Sequence, residues 1–324
     1  MNRDSSELNL IAVQSCKGGV GKTTVAALLA AELARAGHEV CLLDLDFLAP
    51  GTATLLATDA PTPGIAEYMF GYGGEGPGQG KVVRARDVCQ STTVPWIGSG
   101  RVRVHLAAAR PDMQIARAAQ PYILADVLSG LLEARVEHLL LELRTAGMAE
   151  WSVLDVPPSF FGVAEAARRL VARSRGAMVH VVTPSRADLQ GTARMYPQLI
   201  EEATEVEGAD DSKSLRRVAL LLNRYAPFGR VDGSKVDEVV ASAFARGLAP
   251  RKKRSDAERP DEDLARLFVQ GFGHVGLLPE TEALARLSQI DMNPADPQPA
   301  LLFEVPQCIA HLAEWSLAGV GDEL

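Results

Sequence analysis

Nine residues near the N-terminus have the composition and spacing of a phosphate-binding loop: Cys16-Lys17-Gly18-Gly19-Val20-Gly21-Lys22-Thr23-Thr24. They follow an apolar run at 10–13 and precede a helical run at 25–36. Glycines let successive backbone N–H groups turn toward a polyphosphate, and the start of the helix adds partial positive charge. In such a loop Lys22 reaches the β- and γ-phosphates, while Thr23 offers its hydroxyl to Mg²⁺. The segment therefore predicts a bound nucleoside triphosphate.

The loop departs from the general pattern G-x-x-x-x-G-K-[ST] at two positions. Cys16 stands where the first glycine would be, and Lys17 adds a second lysine. The string K-G-G-V-G-K-T-T resembles the deviant P-loop of the Mrp/MinD/ParA family of ATPases. That resemblance implies ATP and ADP as ligands, with Lys17 reaching across a dimer interface to the partner's nucleotide. A glycine-rich turn with two solvated lysines would explain neither the preceding strand nor the following helix.

Three aspartates follow apolar runs that predict strands. Asp44 and Asp46 belong to the sequence D-L-D-F-L-A-P-G at 44–51, and Asp155 precedes V-P-P. Ligands of open α/β sheets bind at the carboxyl edge of the strands, where these side chains should lie. The family resemblance implies that Asp46 orients or activates the attacking water and helps to hold Mg²⁺, and that Asp155 is the Walker B aspartate that binds Mg²⁺ through water. For Asp44, a role as a cap at the end of the strand is as good an interpretation as a role in the ligand site.

Two later segments extend the resemblance to about residue 289. The run L-L-N-R contains Asn223, which carries both a donor and an acceptor for the edge of adenine. The run G-L-L-P contains Pro279, in a position that resembles the loop lying over the base. The resemblance implies that both residues contact adenine, and the preference for ATP over GTP depends on them.

Several classes of site lack support in the sequence. The four cysteines have no C-x-x-C spacing, which argues against a disulfide framework and against an iron–sulfur site within one chain. The six histidines show no metal-binding spacing, and His180 is expected to be a buried strand residue with a hydrogen-bonded ring. The residues before the first strand are charged, and no apolar run could span a bilayer, so we expect a cytoplasmic protein.

The 324 residues are 47% hydrophobic and carry a net charge of −8, which is enough apolar material for one large core. Alternating strand-like and helical runs predict an α/β fold, a doubly wound and mostly parallel sheet with helices on both faces. The expected strands are 10–14, 40–44, 102–107, 151–155, 177–183, 218–223 and 274–278, and the expected helices are 25–36, 123–146, 163–172 and 236–245. Residues 1–324 are expected to form a single P-loop ATPase domain.

Polar elaborations are expected near 204–217 and 228–263, with an acidic C-terminal helical tail over 300–324. The densest basic cluster, Arg251-Lys252-Lys253-Arg254, is followed at once by five acidic residues. A second basic group comprises Arg168, Arg169, Arg173 and Arg175. Both could contact DNA phosphates, although a charge run is more often a solvated face. The tail lacks Lys and Arg after Arg286, which argues against membrane binding through a basic helix.

The sequence thus predicts a slow Mg²⁺-dependent ATPase, a homodimer with ATP that recruits, positions or regulates partner macromolecules. One alternative is a ParA-like positioning ATPase that binds DNA without sequence preference. Another is a nucleotide-binding regulatory adaptor with little hydrolysis, which would control a separate enzyme through the acidic tail or the insertion at 228–263.

Overall fold

A computed structural model describes twelve parts of the chain: residues 8–70, 83–95, 102–110, 112–114, 117, 120, 129–159, 162–195, 217–225, 235–248, 262–279 and 306–321. The expected basic cluster at 251–254 and most of the elaborations at 204–217 and 228–263 lie outside these residues.

Within the described residues, eight strands form one sheet with the spatial order β3-β4-β2-β5-β1-β6-β7-β8. Every pairing is parallel except that of β3 with β4. The strands are β1 (Asn9–Gln14), β2 (Val40–Asp44), β3 (Gln90–Val94), β4 (Val102–Ala107), β5 (Trp151–Asp155), β6 (Arg175–Val182), β7 (Val218–Tyr225) and β8 (His274–Pro279). This confirms the α/β fold class.

Helices cover both faces of the sheet. They are α1 (Lys22–Arg35), α2 (Thr52–Leu55), α3 (Ile65–Phe70), α4 (Ser129–Thr145), α5 (Val163–Arg173), α6 (residues 186–195), α7 (Val236–Leu248), α8 (Glu262–Gln270) and α9 (Gln307–Gly321). None of the described helices combines the length and the apolarity that crossing a membrane requires.

The central strands are buried along their length because both of their faces are covered. Successive side chains of a strand point to opposite faces. In β1, Leu10 and Ala12 face the core that contains α4 and α5, whereas Ile11 and Val13 face the core that contains α1 and α9. Burial on both sides explains why these strands appear in the sequence as continuous apolar runs.

The C-terminal helix packs on the body of the protein. In α9, Ile309 and Leu312 are fully buried in the same core as α1, and the ring of Trp315 stacks on that of His274 at 5.7 Å between centroids. This helix, at Gln307–Gly321, covers the helix that begins at the phosphate loop.

The three arginines of the second basic group whose side chains the structure describes do not form an exposed face of free cations. Arg168 is 3% exposed, Arg169 pairs with Glu165 at 2.7 Å, and Arg173 pairs with Glu133. The carboxylates of α4 and α5 thus neutralise part of this group, which weakens it as a contact for DNA phosphates.

Candidate nucleotide-binding site

The phosphate loop connects the end of β1 to the start of α1. Gly19 and Gly21 have positive φ angles of 77° and 94°, which side chains other than glycine rarely adopt. Gly21 is the N-cap of α1, and its carbonyl accepts from Val25 N at 3.0 Å. Gly18 and Gly19 are exposed, so the mouth of the loop is open to a ligand. The backbone therefore has the shape and polarity of an anion site.

The two lysines of the loop lie in different environments. Lys17 is exposed, whereas Lys22 is 7% exposed. Lys22 lies close enough to Asp155 for its charge to offset part of the rise in the pKa of that carboxyl. Lys22 is thus inside the site, between the loop and the strand ends. Lys17 points its charge toward solvent, where a second molecule could be reached.

Asp44 and Asp155 are neighbours at the carboxyl edge of β2 and β5, since the two residues are in register. Asp155 is 2% exposed, and burial is the main reason that its pKa rises to about 8, with a further contribution from Asp44. Burial also raises the pKa of Asp44. Two carboxyls held this close and this dry need a proton or a cation between them.

The Asp155 carboxyl has the features of a magnesium ligand. Its Oδ1 atom is buried without a hydrogen-bond partner, and the Thr23 hydroxyl lies close enough to lower the pKa of the carboxyl. Hydroxyl and carboxylate oxygens are ligands that Mg²⁺ takes, directly or through water. The residues present therefore fit Mg²⁺, which Thr23 and Asp155 would hold and which would neutralise phosphate charge.

Asp44 caps the segment that follows β2. Its Oδ2 atom accepts hydrogen bonds from Gly51 N at 2.9 Å and Thr52 N at 3.0 Å, and its Oδ1 accepts from Asp46 N at 3.1 Å. Asp44 therefore makes the strand-end cap that was one of its two interpretations. By this cap Asp44 fixes where Asp46 can lie.

Asp46 is half-buried at the start of that segment, and its Oδ1 accepts from Ala49 N at 3.0 Å. The same segment returns to the phosphate loop at Gly51, because a Cβ on Gly51 would lie 3.8 Å from the methyl group of Thr23. Asp46 is thus part of a turn tethered to the site, while its role toward water stays a prediction.

Behind the other side of the loop lies a cluster of uncharged polar groups. The Cys16 thiol is 3.4 Å from Thr192 Oγ1 and 3.6 Å from His180 Nε2, and the latter two atoms are 3.1 Å apart. Burial raises the pKa of Cys16 to about 11 and lowers that of His180 to about 4, so both are neutral near pH 7. His180 is fully buried and hydrogen-bonded, as predicted.

The sequence reasoning missed Thr192, which lies in α6 and meets the loop only through the fold. Gly191 is the signal that could have indicated the contact, because a Cβ there would lie 3.3 Å from that of Cys16. A glycine inside a helix often marks such a close approach.

The structure places Asn223 against the phosphate loop. Its Nδ2 atom donates to the Val20 carbonyl at 2.6 Å, and its Oδ1 atom accepts from Arg224 N at 2.8 Å. Pro279 ends the neighbouring strand β8, whose Leu278 is paired with Asn223. The two residues expected at the base therefore lie at one end of β7 and β8, and contact with adenine stays a prediction.

A family model from the ParA group, described as "NUBPL iron-transfer P-loop NTPase", matches residues 7–70, the part that contains the loop, Asp44 and Asp46. Among solved structures, an ATP complex of Cyanothece McdA superimposes with a TM-score of 0.60 over 97% of each chain at 14% identity. The cell division ATPase MinD of Pyrococcus furiosus gives 0.58 over 96% of this chain and 98% of its own, at 17% identity. Residues 7–70 are thus similar to P-loop NTPases of the ParA group, and the fold of the chain is that of the MinD and McdA structures.

The curated relatives match about a fifth of this chain. The chloroplastic Fe-S cluster assembly factor HCF101 of Oryza sativa subsp. japonica is 39% identical over 83 residues, covering 21% of this chain and 16% of the relative. The iron-sulfur cluster carrier protein of Synechocystis sp. is 40% identical over 73 residues, covering 20% and 21%. The aligned stretches span about a fifth or less of these relatives.

Proposed function

We propose that this protein is a Mg²⁺-dependent ATPase that works as a nucleotide-controlled switch. The observation that carries the proposal is the buried Asp155 carboxyl, which has a partnerless oxygen, a pKa raised to about 8, and Lys22 and Thr23 beside it. A carboxyl kept in that state within the protein is costly, and a bound cation with its phosphates would remove the cost.

Each residue of the site has one task in the proposed reaction. The loop N–H groups of residues 18–24 hold the phosphates, and Lys22 neutralises charge that develops on the β- and γ-phosphates. Asp46 orients the attacking water. Lys17 is exposed in a single subunit, which supports its reaching the nucleotide of a second subunit. Two subunits would then share the charge of two nucleotides across their interface.

The switch follows from that shared site. ATP would join two subunits, hydrolysis would remove the γ-phosphate that Lys17 contacts, and ADP would let the subunits separate. A protein partner could bind one of the two forms only, so that the nucleotide decides when the partner is held.

The test combines ATP hydrolysis with molar mass by light scattering, in Mg²⁺ with ATP or ADP. Lys22→Ala should abolish binding or hydrolysis, and Asp46→Ala should trap ATP and prolong the dimer. Lys17→Ala should stay a monomer with ATP, while Lys235→Ala, a change at another exposed lysine, should behave as wild type. An unchanged mass in every nucleotide would remove the switch and leave only the binding site.

A second candidate function, carriage of iron–sulfur clusters, is suggested by the names of the relatives and of the family model. Clusters are held by cysteine thiolates. Here the sulfur atoms of Cys41 and Cys89 are buried and lie 3.6 Å apart. Burial raises the pKa of Cys16 and Cys308 to about 11, which favours the thiol over the thiolate that a cluster needs. Anaerobic reconstitution with iron and sulfide tests the idea, and a cluster that survives gel filtration would support it over the switch alone.

The DNA-binding alternative depends on Arg251, Lys252, Lys253 and Arg254, outside the described residues. Salt-sensitive binding of any duplex in ATP, lost when these four become alanine, would favour it. Nucleotide binding without turnover would favour the adaptor alternative.

A further inference from the structure

Asn223 makes a direct hydrogen bond to the backbone of the phosphate loop, which its expected role at the base does not require. The side chain is 7% exposed, and its Nδ2–H donates to the carbonyl of Val20 in the middle of the loop. The same amide nitrogen occupies the space that a Cβ on Gly21 would fill. The last glycine of the loop is therefore required twice, once for its positive φ of 94° and once to admit this amide.

The backbone of β7 is shaped to present Asn223 in this way. Arg224 has a φ of 56°, which is uncommon for a residue other than glycine, and the pairing with β8 is irregular between Asn223 and Tyr225. Arg224 N donates to Oδ1 of Asn223, which fixes the orientation of the amide so that Nδ2 faces the loop. The positive φ of Arg224 and the irregular pairing of β7 with β8 thus place Asn223 for its hydrogen bond to Val20.

That bond acts at the point where the loop enters α1. Val20 is 2% exposed and packs in the core, and the carbonyl of Gly21 already accepts the first helical bond from Val25 N. With Val20 O held by Asn223, two successive carbonyls are turned away from the mouth of the loop. The carbonyl that Asn223 holds is thereby kept from facing an incoming phosphate, which it would repel.

We propose that Asn223 is a positioning residue that latches the phosphate loop in its anion-binding shape, so that its loss weakens binding of the phosphates whatever base they carry. This rests on the proposed nucleotide site. Without the latch, only a fraction of molecules would have a competent loop, and apparent affinity would fall by that fraction for every ligand that uses the loop.

Base recognition and the latch are separable because they predict different ligand profiles. Asn223 still has one amide hydrogen and one lone pair available to a base edge, so both roles are chemically open. If Asn223 recognises the base, its loss should weaken the binding of ATP and leave the binding of a ligand without a base unchanged. A latch matters equally for ATP, GTP and inorganic tripolyphosphate.

The experiment measures the Kd and stoichiometry of these three ligands by calorimetry, in Mg²⁺, for wild type, Asn223→Ala and Asn223→Asp. Within each variant, we expect the Kd values of all three ligands to rise by one common factor, roughly 5- to 30-fold, because a buried carbonyl loses its donor. Asn223→Asp should be the weaker binder, since it places an oxygen against the Val20 carbonyl. Stoichiometry should stay at the wild-type value, which a loss of folded protein would lower.

Asn9 supplies the matched control. It has the same side chain, and its Nδ2–H donates to the Glu150 carbonyl at 3.2 Å. Asn9 lies at the start of β1, however, at the amino ends of the parallel strands and away from the phosphate loop. Asn9→Ala should leave all three Kd values unchanged. If Asn223→Ala weakens ATP alone, or changes nothing, the latch is wrong and the nucleotide site stands. If wild type binds none of the three ligands, the proposed function itself has failed.

Discussion

Asp155 and Asp188 are buried to the same degree, each 2% exposed, yet the protein treats them differently. Asp188 Oδ2 accepts from the Thr183 hydroxyl at 2.6 Å and from Thr183 N at 3.2 Å. Asp155 has an oxygen without any partner and a neighbouring carboxyl that raises its pKa further. The carboxylate of Asp188 is hydrogen-bonded within its own loop, whereas that of Asp155 keeps an oxygen free for the cation that we propose.

The contrast extends to the two sides of the phosphate loop. On the side of β2 and β5 lie Asp44, Asp46 and Asp155, whose charges face one another. On the side of β6 and β7, the loop contacts neutral groups, among them Thr192, His180 and Asn223, and these bond to one another or to the backbone. The neutral side has the features of a preformed support, and the acidic side is where we propose that the ligand chemistry takes place.

The largest effect should come from exchanging the two buried aspartates for asparagine. Asp155→Asn should lower Mg²⁺-dependent ATP hydrolysis by about 100-fold or more, because the site loses a ligand and its charge. Asp188→Asn should leave hydrolysis within a few-fold and lower unfolding free energy by about 1 kcal/mol, because a charge-assisted hydrogen bond becomes neutral. Turnover and urea unfolding of both variants measure this. Equal losses of turnover would remove the distinction between them.

The next prediction concerns pH in the absence of metal. The pKa of Asp155 is about 8 in the folded protein, above the 3.8 of an ordinary aspartate. Stability from this group is therefore full below about pH 4 and is lost as the pH rises toward 8. In EDTA, the Tm of Asp155→Asn minus that of wild type should grow from pH 5 to pH 8, and Mg²⁺ with ADP should shrink it. A difference that stays constant with pH would contradict the assignment.

The acid side of the pH range tests the neutral support. Burial lowers the pKa of His180 to about 4, below the 6.5 of an ordinary histidine. Stability from the neutral ring is full above pH 6.5 and is lost as the pH falls toward 4. His180→Gln should therefore lose less stability than wild type between pH 6.5 and 4, as read from urea midpoints.

Much of this arrangement could be predicted from sequence because it is local. The loop, the strand that precedes it and Asp155 after its apolar run are each read within about ten residues, and seven strands were expected near where they lie. The edge strand β3 was missed, since its sequence Q-S-T-T-V lacks a buried apolar run and it pairs antiparallel. The helices α2, α3, α6 and α8 were missed as well.

What could not be predicted depends on contacts between distant parts of the chain. Cys16 and Thr192 are 176 residues apart, and Asn223 and Val20 are 203 apart. No local pattern shows that Asn223 faces the loop, because this follows from the irregular end of β7. The cap made by Asp44 also could not be predicted with certainty. It depends on the fold of residues 44–52, which brings Gly51 N and Thr52 N to the Asp44 carboxylate.

The smallest effect should come from Cys16, at the position where the general pattern has glycine. Its thiol contacts Thr192 and His180 behind the loop and stays protonated at neutral pH, since burial raises its pKa to about 11. Cys16→Ser keeps a polar group of similar size for Thr192 and should change the Kd for ATP by less than about 3-fold, which is under 1 kcal/mol. Cys16→Gly restores the general pattern but removes the contact and frees the backbone, so it should cost more than serine does. If glycine instead bound ATP more tightly than both, the neutral side would be a constraint on the loop rather than its support, and the contrast with the acidic side would have to be reversed.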